Sequence, residues 1–416
     1  MSSPDLAMPE TGRKVPAGFI TVHFLALLGA WVGVMTPASV GVAVTLERID
    51  PEGKVAALSW AFGLGALVAV LANPLFGLLS DRCTSRYGAR RPWMVVGTAG
   101  GMAGLLVIAT AASTIQVIIG WCIAQAMYNA LVASVYGVLA DQVPERQTGT
   151  VAAVLAIAMP VALLAGTFLV DLFNTSPFWL VIAPALLGAV LVIPFLVYGR
   201  DRRIEKDSVP ALRARELARF LWTNPIKHRD FGWAWLSRFM MWSAFTPLSV
   251  YMAYYLGDYL KLSGDEVTRH IFLAFLVSNI CILLATVPAG WLSDRIGRRK
   301  PLVLVAAILF GGGLLLVATA QSVTAFLVAQ VALGLGQGVY YAVDIALPAD
   351  VLPDPATAAK DLGVMNIAAT IPGSLVPLFA PAVLAVGAGN NYPLLFLIGL
   401  GFAALAVVTV LPVRRR

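Results

Sequence analysis

The chain has 416 residues, of which 59% are hydrophobic and 12% are charged, and its mean hydropathy is +0.83. This composition excludes a soluble globular protein, in which about a quarter of the residues are charged, and also a disordered or disulfide-rich chain. The net charge of +7 does not indicate nucleic-acid binding, because the basic residues fall in the breaks between apolar blocks. We therefore predict a multi-spanning membrane protein with no nucleic-acid partner.

Twelve apolar blocks are long enough to cross a bilayer, since a spanning helix needs about 20 residues. The first six predicted helices are 17–46, 55–80, 93–112, 114–141, 149–170 and 177–199. The second six are 231–256, 269–293, 301–320, 323–349, 361–387 and 391–412. These runs do not alternate with the period of β-strands. The sequence therefore predicts an all-α membrane protein with twelve transmembrane helices.

The charge distribution predicts the orientation of the chain. If both termini lie on one side, that side carries 24 of the 29 lysine and arginine residues. Short basic loops stay in the cytoplasm, so we predict an inner-membrane protein with both termini cytoplasmic and no cleaved leader. The predicted divisions are an N-terminal segment 1–16, a bundle 17–199, a cytoplasmic linker 200–230, a bundle 231–412 and a basic tail 413–416. Within the linker, 211–222 fits an amphipathic helix on the inner leaflet, although a solvated linker explains the same charges.

An internal repeat relates the two halves. After the second helix the chain reads G-L-L-S-D-R from Gly77 to Arg82, and after the eighth it reads G-W-L-S-D-R from Gly290 to Arg295. The fourth and tenth helices end in alanine-aspartate, at Asp141 and Asp350, with a proline three residues later. We predict two parallel six-helix repeats related by an axis along the membrane normal.

These motifs resemble the cytoplasmic loop motif of the major facilitator superfamily of secondary transporters. The longer first copy, S-D-R-C-T-S-R-Y-G-A-R-R-P, is similar to the loop of sucrose/proton symporters and the glycoside-pentoside-hexuronide group. The resemblance implies the major facilitator fold, alternating access and a monomer with its own cavity. It assigns to the gating motif Gly77, Asp81, Arg82, Gly88, Arg90, Arg91, Asp141, Gly290, Asp294, Arg295, Gly297, Arg298, Arg299 and Asp350.

The motif residues have a physical role in such a gate. We expect Gly77 and Gly290 to let neighbouring helices approach closely. We expect Asp81 and Asp294 to accept hydrogen bonds from a helix N-terminus of the opposite half and so to hold the cytoplasmic side shut. The alternative for the arginines is that they only fix the topology.

Charged residues inside the apolar blocks are costly, so each needs a partner or a function. Asp344 lies on the tenth helix, about 9 Å before its end at Asp350, and Arg238 lies on the seventh helix. In the resembled fold, helices 1, 4, 7 and 10 line the central cavity, which places Arg238 and Asp344 around it at similar depth. We predict that the two side chains pair. Asp344 is the predicted proton carrier with Arg238 as its partner, and His23 on the first helix is a weaker candidate.

Polar and aromatic side chains form stripes on the same helices. Gln337, Tyr340, Tyr341 and Asp344 are spaced i, i+3, i+4 and i+7, which places them on one face. The predicted substrate-binding residues are Gln125, Asn129, Tyr136, Trp242, Gln337, Tyr340 and Tyr341. Amides beside aromatic rings suit a hydroxyl-rich solute, although such rings also serve packing.

The first functional prediction is proton-coupled symport of a sugar or glycoside of the sucrose-like disaccharide class, and the alternative is a proton-driven antiporter exporting a drug or metabolite. Tyr136 stands where plant-type sucrose symporters generally carry an arginine, and the G-P-x-x-G-G signature of many drug antiporters is absent from 158–166. Coupling to sodium and a non-transporting sensor remain open. The sequence contains no HExxH, G-x-S-x-G or Walker motif, so we predict no enzyme activity, no cofactor and no metal.

Overall fold

A computed structural model of the chain describes residues 15–173, 176–199, 201–204, 228–344, 351, 358–387 and 390–413. The predicted linker helix 211–222 and Asp350 lie outside the described residues, as does the side chain of Asp294. The described part of the chain is helical apart from short connections. This confirms the all-α fold class.

Twelve helices occur at the twelve predicted places. In the first half, which we call the N half, they are α1 (Ala17–Ile49), α2 (Lys54–Asp81), α3 (Arg91–Ala109), α4 (Thr114–Gln142), α5 (Glu145–Ala156 and Ala158–Leu172) and α6 (Pro177–Tyr198). In the second half, the C half, they are α7 (Arg229–Tyr254), α8 (Gly264–Ile296), α9 (Lys300–Thr319), α10 (Val323–Asp344), α11 (Ala358–Thr370 and Pro372–Leu384) and α12 (Tyr392–Val410). Eleven of them are long and apolar enough to cross a membrane. The exception among the described helices is α7, which carries Arg229, Asp230 and Arg238 within its first ten residues.

The helix ends follow local chemistry. Helix α8 begins five residues before its predicted start, because Ser263 and Glu266 form a capping box that satisfies the free N–H groups of its first turn. Its other end is closed by Gly297, which adopts the left-handed conformation at φ 60° that terminates many helices. The break in α5 lies at Ile157, three residues before Pro160, whose missing N–H interrupts the helical hydrogen bonding.

The repeat predicted from the motifs is visible in the packing. In the N half α1 packs on α5 and α6, and α3 packs on α4 and α6. The equivalent pairs in the C half are α7 with α11 and α12, and α9 with α10 and α12. Contact between the halves runs mainly through α2 with α11 and α5 with α8, which are also equivalent pairs. This confirms two parallel six-helix repeats.

The first helix of each half contains a π-helical turn. In α1 the turn is Pro37–Gly41, and α7 is continued by the turn Tyr255–Tyr259. Both turns lie toward the end of the bundle that is remote from the repeated motifs. We call that end the opposite end, and the end that carries Asp81, Arg90 and Asp141 the motif end.

Candidate functional site

The Arg238–Asp344 pair links α7 to α10. A guanidinium N–H of Arg238 donates to Oδ2 of Asp344 at 2.8 Å, and a second donates to the Asp344 backbone carbonyl at 3.3 Å. The side chains are 12% and 8% exposed. The structure thus confirms the predicted contact. A cleft lined by the pair, Tyr340 and four small or apolar residues has room for about one water molecule.

The aromatic stripe of α10 faces α7. Trp242 stacks on Tyr341 with ring centroids 6.2 Å apart, and Phe245 meets Tyr340 edge-on at 5.6 Å. The side-chain amide of Gln337 donates to the Tyr341 hydroxyl at 2.6 Å. Gln337, Tyr341 and Trp242 are partly exposed, whereas Tyr340 is buried. The structure therefore brings the predicted residues of α7 and α10 into one surface next to the ion pair.

The predicted polar residues of α4 form a separate group in the N half. The Asn129 amide donates to the backbone carbonyl of Gln125 at 2.8 Å, and its Oδ1 accepts from the Asn73 amide of α2 at 3.2 Å. Tyr136 is 43% exposed and lies beside Trp31 of α1. Asn73 had no signal in the sequence beyond being an amide inside an apolar block.

His23 lies in the packed core of the N half. It is fully buried, its Nε2 donates to the Val135 carbonyl of α4 at 2.8 Å, and its ring lies about 5.9 Å from those of Phe19 and Phe195. Through these contacts His23 packs α1 against α4 and α6. Its role in proton coupling stays a prediction.

Arg90 is the centre of the motif end in the N half. Its guanidinium donates to Ser80 Oγ at 2.5 Å and to the Asp141 carboxylate at 2.9 Å, and it also pairs with Asp81. Burial lowers the pKa of Arg90, but the hydrogen bond and charge of Asp141, with the charge of Asp81, outweigh burial and raise the pKa above its usual value. The arginine therefore holds the ends of α2, α3 and α4 together.

The turn before α3 is fixed by a second carboxylate. Oδ2 of Asp201, just beyond α6, accepts from the backbone N–H groups of Arg90 at 2.9 Å and Arg91 at 2.8 Å. The Arg91 guanidinium donates to the Gly199 carbonyl. Gly88 has a φ of 112°, and a side chain there would collide with the Asp201 carboxylate. The positive φ and the lack of room for a side chain therefore both require glycine at position 88.

The second copy of the motif repeats two of these contacts. Arg299 donates to Ser293 Oγ as Arg90 does to Ser80, and Lys300 donates to the Leu411 carbonyl at 2.8 Å as Arg91 does to Gly199. Arg295 lies over the Trp291 ring, with 5.1 Å from its guanidinium carbon to the ring centroid. Arg82 is partly buried at the motif end, whereas Arg298 is exposed.

Two expectations about the motif are corrected by the structure. A side chain on Gly77 or Gly290 would meet no heavy atom within 4 Å, so these glycines do not mediate close helix approach here. Gly137 of α4 does, because a Cβ there would lie 2.5 Å from Cζ of Arg90. Within the described residues Asp81 pairs with Arg90 of its own half and not with the opposite half, because the two side chains meet where α2 ends and α3 begins.

A cluster that the sequence did not suggest joins the halves at the opposite end. Lys54, the first residue of α2, donates to Glu47 of α1 at 2.7 Å and to Asp258 of the C half at 2.6 Å. Asp258 also accepts from the Tyr392 hydroxyl at 2.9 Å. The Lys54 ammonium lies 4.8 Å from the centroid of the Tyr254 ring. We call Glu47, Lys54, Tyr254, Asp258 and Tyr392 the opposite-end cluster.

Two buried tyrosines extend this connection. The Tyr254 hydroxyl donates to the Ala43 carbonyl of α1 at 3.0 Å. The Tyr251 hydroxyl donates to the Pro377 carbonyl at 3.2 Å and lies 2.7 Å from Ser59 Oγ of α2. Both contacts to α1 and α2 cross between the halves, so the bundle is closed at the opposite end. In the sequence Lys54 belongs to no motif and lies in the break between the first two apolar blocks.

Comparison with known proteins places the chain among transporters. The sequence model of the Major Facilitator Superfamily matches residues 19–285 and 234–416, which together span nearly the whole chain. Two crystal structures of the nucleoside transporter NupG superpose with TM-scores of 0.74 and 0.69 at 13% identity. They cover 95% of this chain and 100% and 98% of their own.

The curated relatives match over shorter segments. Multidrug resistance protein MdtL of Shewanella oneidensis is 37% identical over 123 residues, which is 30% of this chain and 29% of the relative. MdtL of Klebsiella pneumoniae is 35% identical over 122 residues, 29% of each chain. Sucrose transport protein SUC3 of Arabidopsis thaliana is 35% identical over 63 residues, 14% of this chain and 11% of the relative. The chain thus spans less than a third of the length of each of these relatives.

Proposed function

The chain belongs to the major facilitator superfamily and is an integral multi-pass membrane transporter, and we propose that it is a proton-coupled symporter of a sugar or glycoside. The observation that carries this proposal is the buried Arg238–Asp344 pair beside a surface of amides and aromatic rings. The proposed bundles 17–199 and 231–412 are the units that move against each other during transport.

Asp344 is the proposed proton carrier. In an apolar environment, a lone guanidinium or a lone carboxylate is strongly disfavoured, so each charge of the pair stabilises the other. Binding of a proton to Asp344 would remove that stabilisation and free Arg238 to move. A cleft beside the pair has room for about one water molecule, which could exchange a proton with Asp344. This coupling of protonation to rearrangement is what symport requires.

The substrate class is argued from the surface beside the pair. The stacked Trp242 and Tyr341 rings offer an apolar face, and the Gln337 amide lies at its edge. Sugars present apolar C–H faces and rims of hydroxyl groups, so rings and amides complement them. The proposed binding residues are therefore Trp242, Gln337 and Tyr341, with Tyr340 positioning the pair.

We place the motif end in the cytoplasm, because it carries most of the basic residues. The opposite-end cluster then closes the outer side, and its contacts between Lys54 and Asp258 must break when the cavity opens outward. The Arg90 network and its counterpart around Arg299 keep each half rigid at the cytoplasmic end during that movement.

The second candidate is proton-driven export, and the two MdtL relatives favour it. The sucrose transporter favours import of a disaccharide, over a shorter segment. Both functions use the same alternating halves and differ in substrate and direction, which a transport assay separates.

The test is uptake by purified protein in proteoliposomes with an imposed inward proton gradient. The labelled panel contains sucrose, maltose, a phenyl glucoside and glucose. We expect accumulation of at least one sugar, abolished by a protonophore. No accumulation of any sugar, together with extrusion of a cationic dye under the same gradient, would contradict symport and support the exporter.

A matched pair of variants tests Asp344. Asp344→Asn should abolish accumulation and leave exchange at equal internal and external concentrations partly intact. Asp171→Asn is the control, since Asp171 is a half-buried aspartate in another apolar helix, α5. Gradient-driven accumulation by Asp344→Asn at the wild-type level would exclude Asp344 as the proton carrier.

A further inference from the structure

Asn73 is an exposed carboxamide inside the apolar helix α2, eight residues before the helix ends at Asp81. At 1.5 Å per residue it lies about 12 Å from that end, well within the span. A carboxamide facing lipid at this depth would leave its hydrogen-bonding groups unsatisfied, at a cost of several kcal/mol per group. An exposed Asn73 is therefore expected to face water.

The amide of Asn129 is held by its own helix and binds Asn73. Its N–H donates to the Gln125 carbonyl at 2.8 Å, and its Oδ1 accepts from Asn73 Nδ2 at 3.2 Å. Asn129 therefore orients Asn73. Within the described part of the chain the Oδ1 of Asn73 and its second N–H have no partner, which leaves one acceptor and one donor available.

The backbone next to Asn73 adds a further acceptor. Residue 74 is a proline inside the helix, and proline has no N–H. The carbonyl of Val70 therefore lacks its usual intrahelical partner, one turn from Asn73. An acceptor and a donor on one planar amide, with a free carbonyl nearby, match two adjacent hydroxyl groups of a neutral solute.

We propose that Asn73 is a solute-binding residue of the N half, with Asn129 as its positioning residue, and that it recognises a vicinal diol. This inference rests on the proposed function and adds a group of the N half to the binding residues proposed in the C half. It also reassigns Asn129, because the group that contacts the solute is the amide that Asn129 orients.

Cysteine labelling tests the position of Asn73 without knowledge of the substrate. In a background with Cys83, Cys122 and Cys281 replaced by serine, Asn73→Cys is compared with Leu71→Cys and Leu75→Cys. Those leucines are exposed and lie at the same depth, but each is turned about 160° around α2 from Asn73. We expect a hydrophilic maleimide, added to permeabilised proteoliposomes, to label Asn73→Cys at least tenfold faster. Equal labelling of the three variants would overturn the proposed exposure to water.

Transport kinetics test the contact with the solute, using the sugar of the panel that the wild type accumulates best. Asn73→Ala should raise the KM about tenfold, as expected for one or two lost hydrogen bonds, with the maximal rate within about twofold of wild type. Asn129→Ala should raise the KM less, and the double variant should match Asn73→Ala alone, because Asn129 acts through Asn73. An unchanged KM in Asn73→Ala, or additive effects in the double variant, would overturn the assignment.

The two tests separate this inference from the proposed function. If the wild type accumulates no sugar, the proposed function and the diol contact fall together, and fast labelling of Asn73→Cys shows that only the position was right. If the wild type accumulates a sugar and Asn73→Ala keeps the wild-type KM, the proposed function stands and the Asn73 contact is wrong.

Discussion

Replacing one partner of the Arg238–Asp344 pair should be far more damaging than replacing both. Asp344→Leu leaves a guanidinium that is 12% exposed without its 2.8 Å hydrogen bond to the carboxylate. Breaking a buried pair from one side costs about 3–5 kcal/mol, whereas apolar replacement of both partners is often neutral or stabilising. Each half is a unit of fewer than 200 residues, for which 1 kcal/mol corresponds to about 2–4 °C, so the single variants should lose about 6–20 °C of apparent melting temperature.

The assay is thermal unfolding in detergent of wild type, Arg238→Met, Asp344→Leu and the double variant. We expect both single variants to melt well below wild type and the double variant to recover most of the loss. Transport should be absent from all three variants, because the proposed carrier is missing or unpaired. A double variant that melts at the temperature expected from the sum of the two single losses would refute the reasoning that the charges stabilise each other.

Three further predictions concern the ends of the bundle. Lys54→Met should break the opposite-end cluster and raise the rate at which a hydrophilic maleimide labels a cysteine placed at buried Ser59. The control Lys261→Met removes an exposed lysine of the same end and should not change that rate. Equal labelling rates in the two variants would contradict closure by Lys54. Arg90→Met should lower the apparent melting temperature by an amount that corresponds to about 3–5 kcal/mol, and Arg86→Met, on the exposed loop, should leave it unchanged. Gly137→Ala should destabilise the protein because the added Cβ displaces Arg90. Gly77→Ala, with open space around it, should be neutral or stabilise α2 by up to about 1 kcal/mol. The reverse order of melting temperatures would contradict this packing.

The sequence predicted the fold well because apolar block length and the repeated motifs are local signals. The twelve helices and their pairing into two repeats needed no long-range information. The late start predicted for α8 shows the limit of that approach, because Asp265 and Glu266 look like loop residues until Ser263 is seen to cap the helix.

The site could be predicted where a charged side chain lies inside an apolar helix, because burying such a charge in the membrane costs free energy. Arg238 and Asp344 stood out because an apolar helix tolerates few charges, and their pairing followed from similar depth. Lys54 and Asp258 were missed because they lie at helix ends, where charges are common, and only the packing of the halves brings them to 2.6 Å. Asn73 was missed for a related reason, since one amide in a long apolar block has no periodic partner on its own helix.

The central claim is that solute and proton cross together through Asp344. It is tested most directly by solute-induced proton uptake in lightly buffered proteoliposomes that start with no gradient. Addition of the transported sugar to wild type should make the external medium more alkaline, and Asp344→Asn should give no such change while still exchanging labelled sugar. Acidification of the medium, or alkalinisation of equal size in Asp344→Asn, would contradict the account.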